Sequence, residues 1–174
     1  SSQAARRAFV KGEAFYSKFK KEWSDRINRL PLKDLFQLDI PTPSQEKSPT
    51  LRVGFIGHPY NLFDQDINKD VLTLTKQLGI EILIPDHLSE KEIDQEISGL
   101  SKEIYWSSGR EIVGALLHFL KGGVDGVIFL TSFKCGIDAL LQEFIKRSIK
   151  IRGEPTLPFL VLSFDEHTGR EGLV

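Results

Sequence analysis

The residue type with most chemistry to offer here is cysteine, and the 174-residue chain has one, Cys135. It lies in Thr131-Ser132-Phe133-Lys134-Cys135-Gly136-Ile137-Asp138, after the apolar run 127–130 and before the amphipathic run 139–145. The first run reads as a buried strand and the second as a helix. A thiol on the loop between them meets the backbone N–H groups of a helix start, which favour the thiolate, as does neighbouring Lys134. The competing reading is a small apolar residue packing a turn, since free cysteines are commonly buried.

Three of the four histidines stand in comparable places. His58 belongs to Gly57-His58-Pro59-Tyr60-Asn61, His87 to Pro85-Asp86-His87, and His167 to Asp165-Glu166-His167-Thr168-Gly169. His58 or His167 could activate Cys135 as a nucleophile, with Asp165 orienting the imidazole. Structural roles stay open beside this one. His58 could bond the turn at Pro59, His167 could follow Asp165 as a helix cap, and Asp138 could complement a helix dipole. His118, beside Leu117, reads as a semi-buried structural histidine. Trp106 and Arg110, one turn apart, either stack on each other or face a ligand. A zinc or iron site would need more soft ligands than one cysteine supplies. No G-x-G-x-x-G, phosphate-loop or G-x-S-x-G pattern is present.

The elements that must position these residues follow from periodicity. Phe9, Gly12, Tyr16, Phe19, Trp23, Ile27 and Leu30 mark one face of a helix over 4–30. It belongs to an N-terminal region, 1–38. A proline-rich linker follows at 39–50, and a compact α/β domain at 51–174. Strands are expected at 51–56, 80–84, 126–130 and 158–164, apolar throughout, as when both faces of a sheet are covered. Helices are expected through Ile67, Val71, Leu74 and Leu78, closed by Gly79; through Ile93, Ile97, Leu100 and Ile104, opened by a Ser89–Glu92 capping box; from Ile112 to Leu120; and from Cys135 to about Ile149. Asp165 is expected to open one more. Alternating strands and helices imply a small doubly wound, flavodoxin- or Rossmann-like parallel sheet of order 2-1-3-4, with an extra N-terminal helix. In such sheets ligands bind beyond the carboxyl ends of the strands, where all four loops fall.

Bulk properties narrow the class. A net charge of −1 argues against nucleic acid and anionic membranes as partners. One cysteine excludes an internal disulfide framework and points to a reducing, cytoplasmic setting. No apolar run approaches the roughly 20 residues that span a bilayer, and no secretory leader is visible. The Ser1-Ser2 start and the lack of methionine read as part of a longer protein.

Four motifs in order carry a resemblance: 57–61, Trp106 with Gly109-Arg110-Glu111, 132–138, and 165–173. Together they resemble the acyl-CoA dehydratase activase-related group, similar to the 2-hydroxyglutaryl-CoA dehydratase D-component, over about residues 51–174. The resemblance implies a two-lobed iron–sulfur protein with cluster-mediated electron transfer, of which this chain is the C-terminal part. Cys135 takes the position of a cluster cysteine. His58, Tyr60, Asn61, Ser132, Phe133, Gly136, Asp165, Glu166 and His167 would line the cleft. A cubane normally takes four thiolates, so the other cysteines would come from an N-terminal lobe outside this chain. The fragment alone would then be inactive and without its cluster, and the whole protein dehydratase- or reductase-like. An activating ATPase module is an implied partner. The aromatic face of the N-terminal helix offers a surface for packing on the domain that follows, for packing on another lobe, or for dimerisation. The alternative is a metal-free α/β domain whose helix starts bind a nucleotide, an acyl-CoA or a phosphate.

Overall fold

In a computed structural model, residues 2–29, 51–151 and 157–169 are described. The linker expected at 39–50 lies outside them. Helix α1 spans Ser2–Arg29. Strand β1 is Arg52–Gly57, followed by three short helices, α2 (Pro59–Phe63), α3 (Gln65–Asn68) and α4 (Val71–Gln77). Strand β2 (Glu81–Leu83), a 3₁₀ turn (Pro85–His87), α5 (Glu90–Ile97) and α6 (Ser107–Lys121) come next. Strand β3 (Gly126–Ser132), α7 (Gly136–Ile151) and β4 (Phe159–Phe164) complete the domain. The four strands form one parallel sheet of order β2-β1-β3-β4, as expected.

That order dictates the layers. The crossover from β1 to β2 runs one way across the sheet, and those from β2 to β3 and β3 to β4 run the other. With right-handed crossovers, α2–α4 must cover one face and α5–α7 the opposite one. The core divides accordingly. Ile56, Val127 and Phe129 pack with Ile112, Leu116 and Ile145 on the α6–α7 side. Val53, Phe55, Ile82 and Leu130 pack with Leu62, Val71 and Leu72 on the other. Burying one such side chain is worth about 1.5–3 kcal/mol, and this two-sided burial holds the central strands in register.

Several expectations need correction. The helix expected through Ile67 to Leu78 breaks after Asn68, because Lys69 and Asp70 both take left-handed backbone angles (φ 56 and 62). Buried Asn68 holds this kink: its Nδ2 donates to the Leu62 carbonyl at 2.8 Å, and its Oδ1 accepts from Asp70 N at 2.9 Å. Leu78 ends up exposed, although Gly79, at φ 74, does stop the helix. Helix α5 ends at Ile97, so Leu100 and Ile104 reach the core from a loop. Asp165–Thr168 is a turn rather than a helix start. Strand β4 is not covered on both faces among the described residues, and Leu160 is half exposed. The Ser89–Glu92 capping box forms as expected. No described helix is long and apolar enough to cross a membrane.

Candidate functional site at the carboxyl edge of the sheet

Strands β1 and β3 are neighbours, and their carboxyl ends bring two sequence-distant loops together. Gly57 makes this approach close. A Cβ there would stand 2.6 Å from the Leu130 carbonyl oxygen, so only glycine lets the chain leave β1 against β3. His58 follows in extended conformation (φ −65, ψ 149) and flanks the start of α2, whose first residue is Pro59. Its ring makes no capping bond to the turn. It stacks on Tyr60, with centroids 5.1 Å apart and planes 7° from parallel, and most of its side-chain surface is covered.

Asn61, fully buried, ties the two loops together. Its Nδ2 lies 3.4 Å from the Leu130 carbonyl, and its Oδ1 accepts from Ser132 Oγ at 3.1 Å. Beyond Ser132 the chain turns sharply through Lys134, at φ 61. Cys135 N donates to the Ser132 carbonyl, and the Cys135 carbonyl accepts the first bond of α7 from Ala139 N, both at 3.1 Å. The thiol therefore flanks the helix start, half-buried and outside any disulfide. Neighbouring Lys134 places its Nζ 5.3 Å from the Phe133 ring centroid.

Asp138 enters from the first turn of α7, three residues after Cys135 and so on the same helical face. It is 1% exposed. Its Oδ2 accepts from Thr131 Oγ1 at 2.6 Å and from Ser132 N at 3.4 Å. Its Oδ1 faces His58 Nε2 at 2.9 Å. Neither of these last two atoms makes a directed hydrogen bond, although both are buried. Ligand atoms of His58, Cys135 and Asp138 all lie within 4.8 Å of one another. In a nucleophilic triad the imidazole stands between acid and thiol. Here acid and thiol are also within 4.8 Å of each other, so the three groups converge on a point.

The site thus gathers His58, Tyr60, Asn61, Ser132 and Cys135 of the expected residues and adds Asp138 and Thr131. Gly136 opens α7, with open space where a Cβ would stand, and Phe133 is exposed on the rim. Asp165, Glu166 and His167 form a separate turn at the end of β4. The Asp165 carboxylate accepts from the Thr168 hydroxyl at 2.8 Å and from His167 N at 3.0 Å, and these bonds hold its pKa below the usual value. Glu166 and His167 lie in solvent, with His167 Nε2 and a Glu166 carboxylate oxygen 3.7 Å apart. At the end of β2, Asp86 accepts from the Trp23 indole at 2.9 Å, and nearby Lys20 pairs with Glu111 at 2.8 Å. These contacts dock α1 on the domain across a cavity of about 290 Å³. Of the other candidates, Arg110 pairs with Asp94 at 2.6 Å, and half-exposed His118 lies 3.6 Å from Glu96.

A four-iron cluster does not fit these residues by themselves. One thiol cannot hold a cubane, and donors gathered this tightly address a single metal position. Comparison with family models, curated proteins and solved structures finds no match for this chain.

Proposed function

We propose that this chain is the C-terminal α/β domain of an iron–sulfur protein resembling the activator and dehydratase system for CoA thioesters. In this reading Cys135 supplies one thiolate to a centre whose remaining cysteines belong to a lobe outside the chain. The observation that supports it is the seating of Cys135: half-buried at the start of α7, on the carboxyl edge of the sheet, beside two buried polar groups. A free thiol in that position is open on one side for a partner to complete its coordination. The cluster, when bound, would supply electrons. This chain would supply the wall: Asn61 and Ser132 hold the two loops together, and Tyr60 braces His58. A free thiolate ligand suits a reducing cytoplasm. An activating ATPase would be a separate partner.

The test is anaerobic reconstitution of the protein together with its cysteine-bearing lobe. Iron and acid-labile sulfide are expected to bind, and Cys135→Ala should lower both. Iron and sulfide contents that Cys135→Ala leaves unchanged would overturn the assignment, as would a complete protein that takes up neither.

A further inference from the structure

The geometry points to a second capacity, which needs this chain alone and does not rest on the cluster reading. We propose that His58, Cys135 and Asp138 hold one divalent transition-metal ion, as an imidazole–thiolate–carboxylate site with an open fourth position.

Three observations carry it. The first is distance. A metal bound at about 2.0–2.2 Å to nitrogen and oxygen and about 2.3 Å to sulfur sets tetrahedral donors roughly 3.3–3.6 Å apart. The three donor atoms here lie within 4.8 Å of one another, and His58 Nε2 and Asp138 Oδ1 are 2.9 Å apart. To admit the ion, the His58 and Asp138 atoms would part by a few tenths of an ångström, and the Cys135 sulfur, within 4.8 Å of both, would close by up to about an ångström.

The second is incomplete polar satisfaction. His58 Nε2 and Asp138 Oδ1 face each other at 2.9 Å, yet neither makes a directed hydrogen bond, and Asp138 is 1% exposed. A buried carboxylate oxygen without such a donor is costly, and a cation set between oxygen and nitrogen removes that cost for both. With thiolate, carboxylate and neutral imidazole, a divalent ion makes the site electrically neutral.

The third is support. Thr131 and Ser132 N bind Asp138 Oδ2, which leaves Oδ1 as the ligand atom. Tyr60 fixes the plane of the His58 ring. Outer contacts of this kind orient metal ligands. The soft thiolate and borderline imidazole beside the hard carboxylate select Zn²⁺, Fe²⁺ or Co²⁺ over Mg²⁺ and Ca²⁺. Cys135 is the half-exposed member, so the fourth position faces solvent, where a water or a substrate oxygen could bind.

The experiment is a titration of the chain with Co²⁺ under reducing, anaerobic conditions. One ion per chain is expected, with a thiolate-to-cobalt charge-transfer band and the ligand-field absorption of a four-coordinate ion. Zn²⁺ should abolish both, and excess Mg²⁺ should not. Cys135→Ser should remove the charge-transfer band; because the thiol is half-exposed, circular dichroism and Tm should match the parent protein. His58→Gln and Asp138→Asn should each weaken binding by about tenfold or more. Absence of the band, its survival in Cys135→Ser, or parental affinity in a folded His58→Gln variant would each overturn the proposal. Failure of the cluster reading would show instead as missing sulfide in the assembled protein, with Co²⁺ binding by this chain intact.

Discussion

A carboxylate as buried as Asp138 must find its partners inside the protein, and the Thr131 hydroxyl is the nearest donor, at 2.6 Å. Thr131→Val keeps the shape and removes that donor, so it is expected to cost about 1–3 kcal/mol. Denaturant unfolding should show a lower midpoint at unchanged slope, with Thr131→Ser close to the parent. At this scale the site was partly legible. Cys135, His58, Asn61 and Ser132 follow apolar strands, and polar residues at strand ends of a parallel sheet share one rim. Asp138 was harder to read, because an acid in the first turn of a helix already has a dipole role. Its three-residue spacing from Cys135 was the signal, and that spacing puts acid and thiol on one face. The Asp165 carboxylate bonds within its own turn, to the Thr168 hydroxyl and to His167 N.

Elements were legible where caps and periodicity agreed, as in α5, where Ser89 and Glu92 exchange bonds. The kink after Asn68 was not. Left-handed backbone is usually signalled by glycine, whereas here Lys69 and Asp70 adopt it because buried Asn68 bonds on both sides of the bend. Gly57 shows the opposite case, a glycine required by approach rather than by angle. Gly57→Ala would drive a methyl group against the Leu130 carbonyl, 2.6 Å away, and force β1 and β3 apart. A loss of about 1–3 kcal/mol is expected by thermal or chemical unfolding. Because His58 is the next residue, Co²⁺ affinity should fall with it, which ties the sheet pairing to the site.

At the scale of the molecule, strand order followed from alternation and handedness, and the structure has that order. Packing of the α1 aromatic face on the following domain was one of the openings its sequence left, but the partners were not legible, because they are single polar contacts such as Trp23 with Asp86. Burial pushes the Asp86 carboxyl above its usual pKa, against the opposing effects of the Trp23 bond and of Lys20. A raised carboxyl pKa in the folded state means that its stability contribution is full below the ordinary value of 3.8 and is lost as pH rises through the folded value. Asp86→Asn keeps an acceptor for Trp23 and removes the buried charge. It should raise Tm near about pH 7 and match the parent near about pH 3. Trp23→Phe removes the donor itself and should cost about 1–3 kcal/mol in unfolding. The sheet order also bears on how the chain is made. As β1 and β2 leave the ribosome, the other edge of β1 must wait for Gly126 and the residues after it before β3 can close upon it. Until then Phe55 and Ile56 sit on a strand with an open hydrogen-bonding edge, the kind of surface that recruits other chains and that chaperones shield. A nascent chain stalled before β3 is therefore expected to be aggregation-prone, and one released after β4 is not.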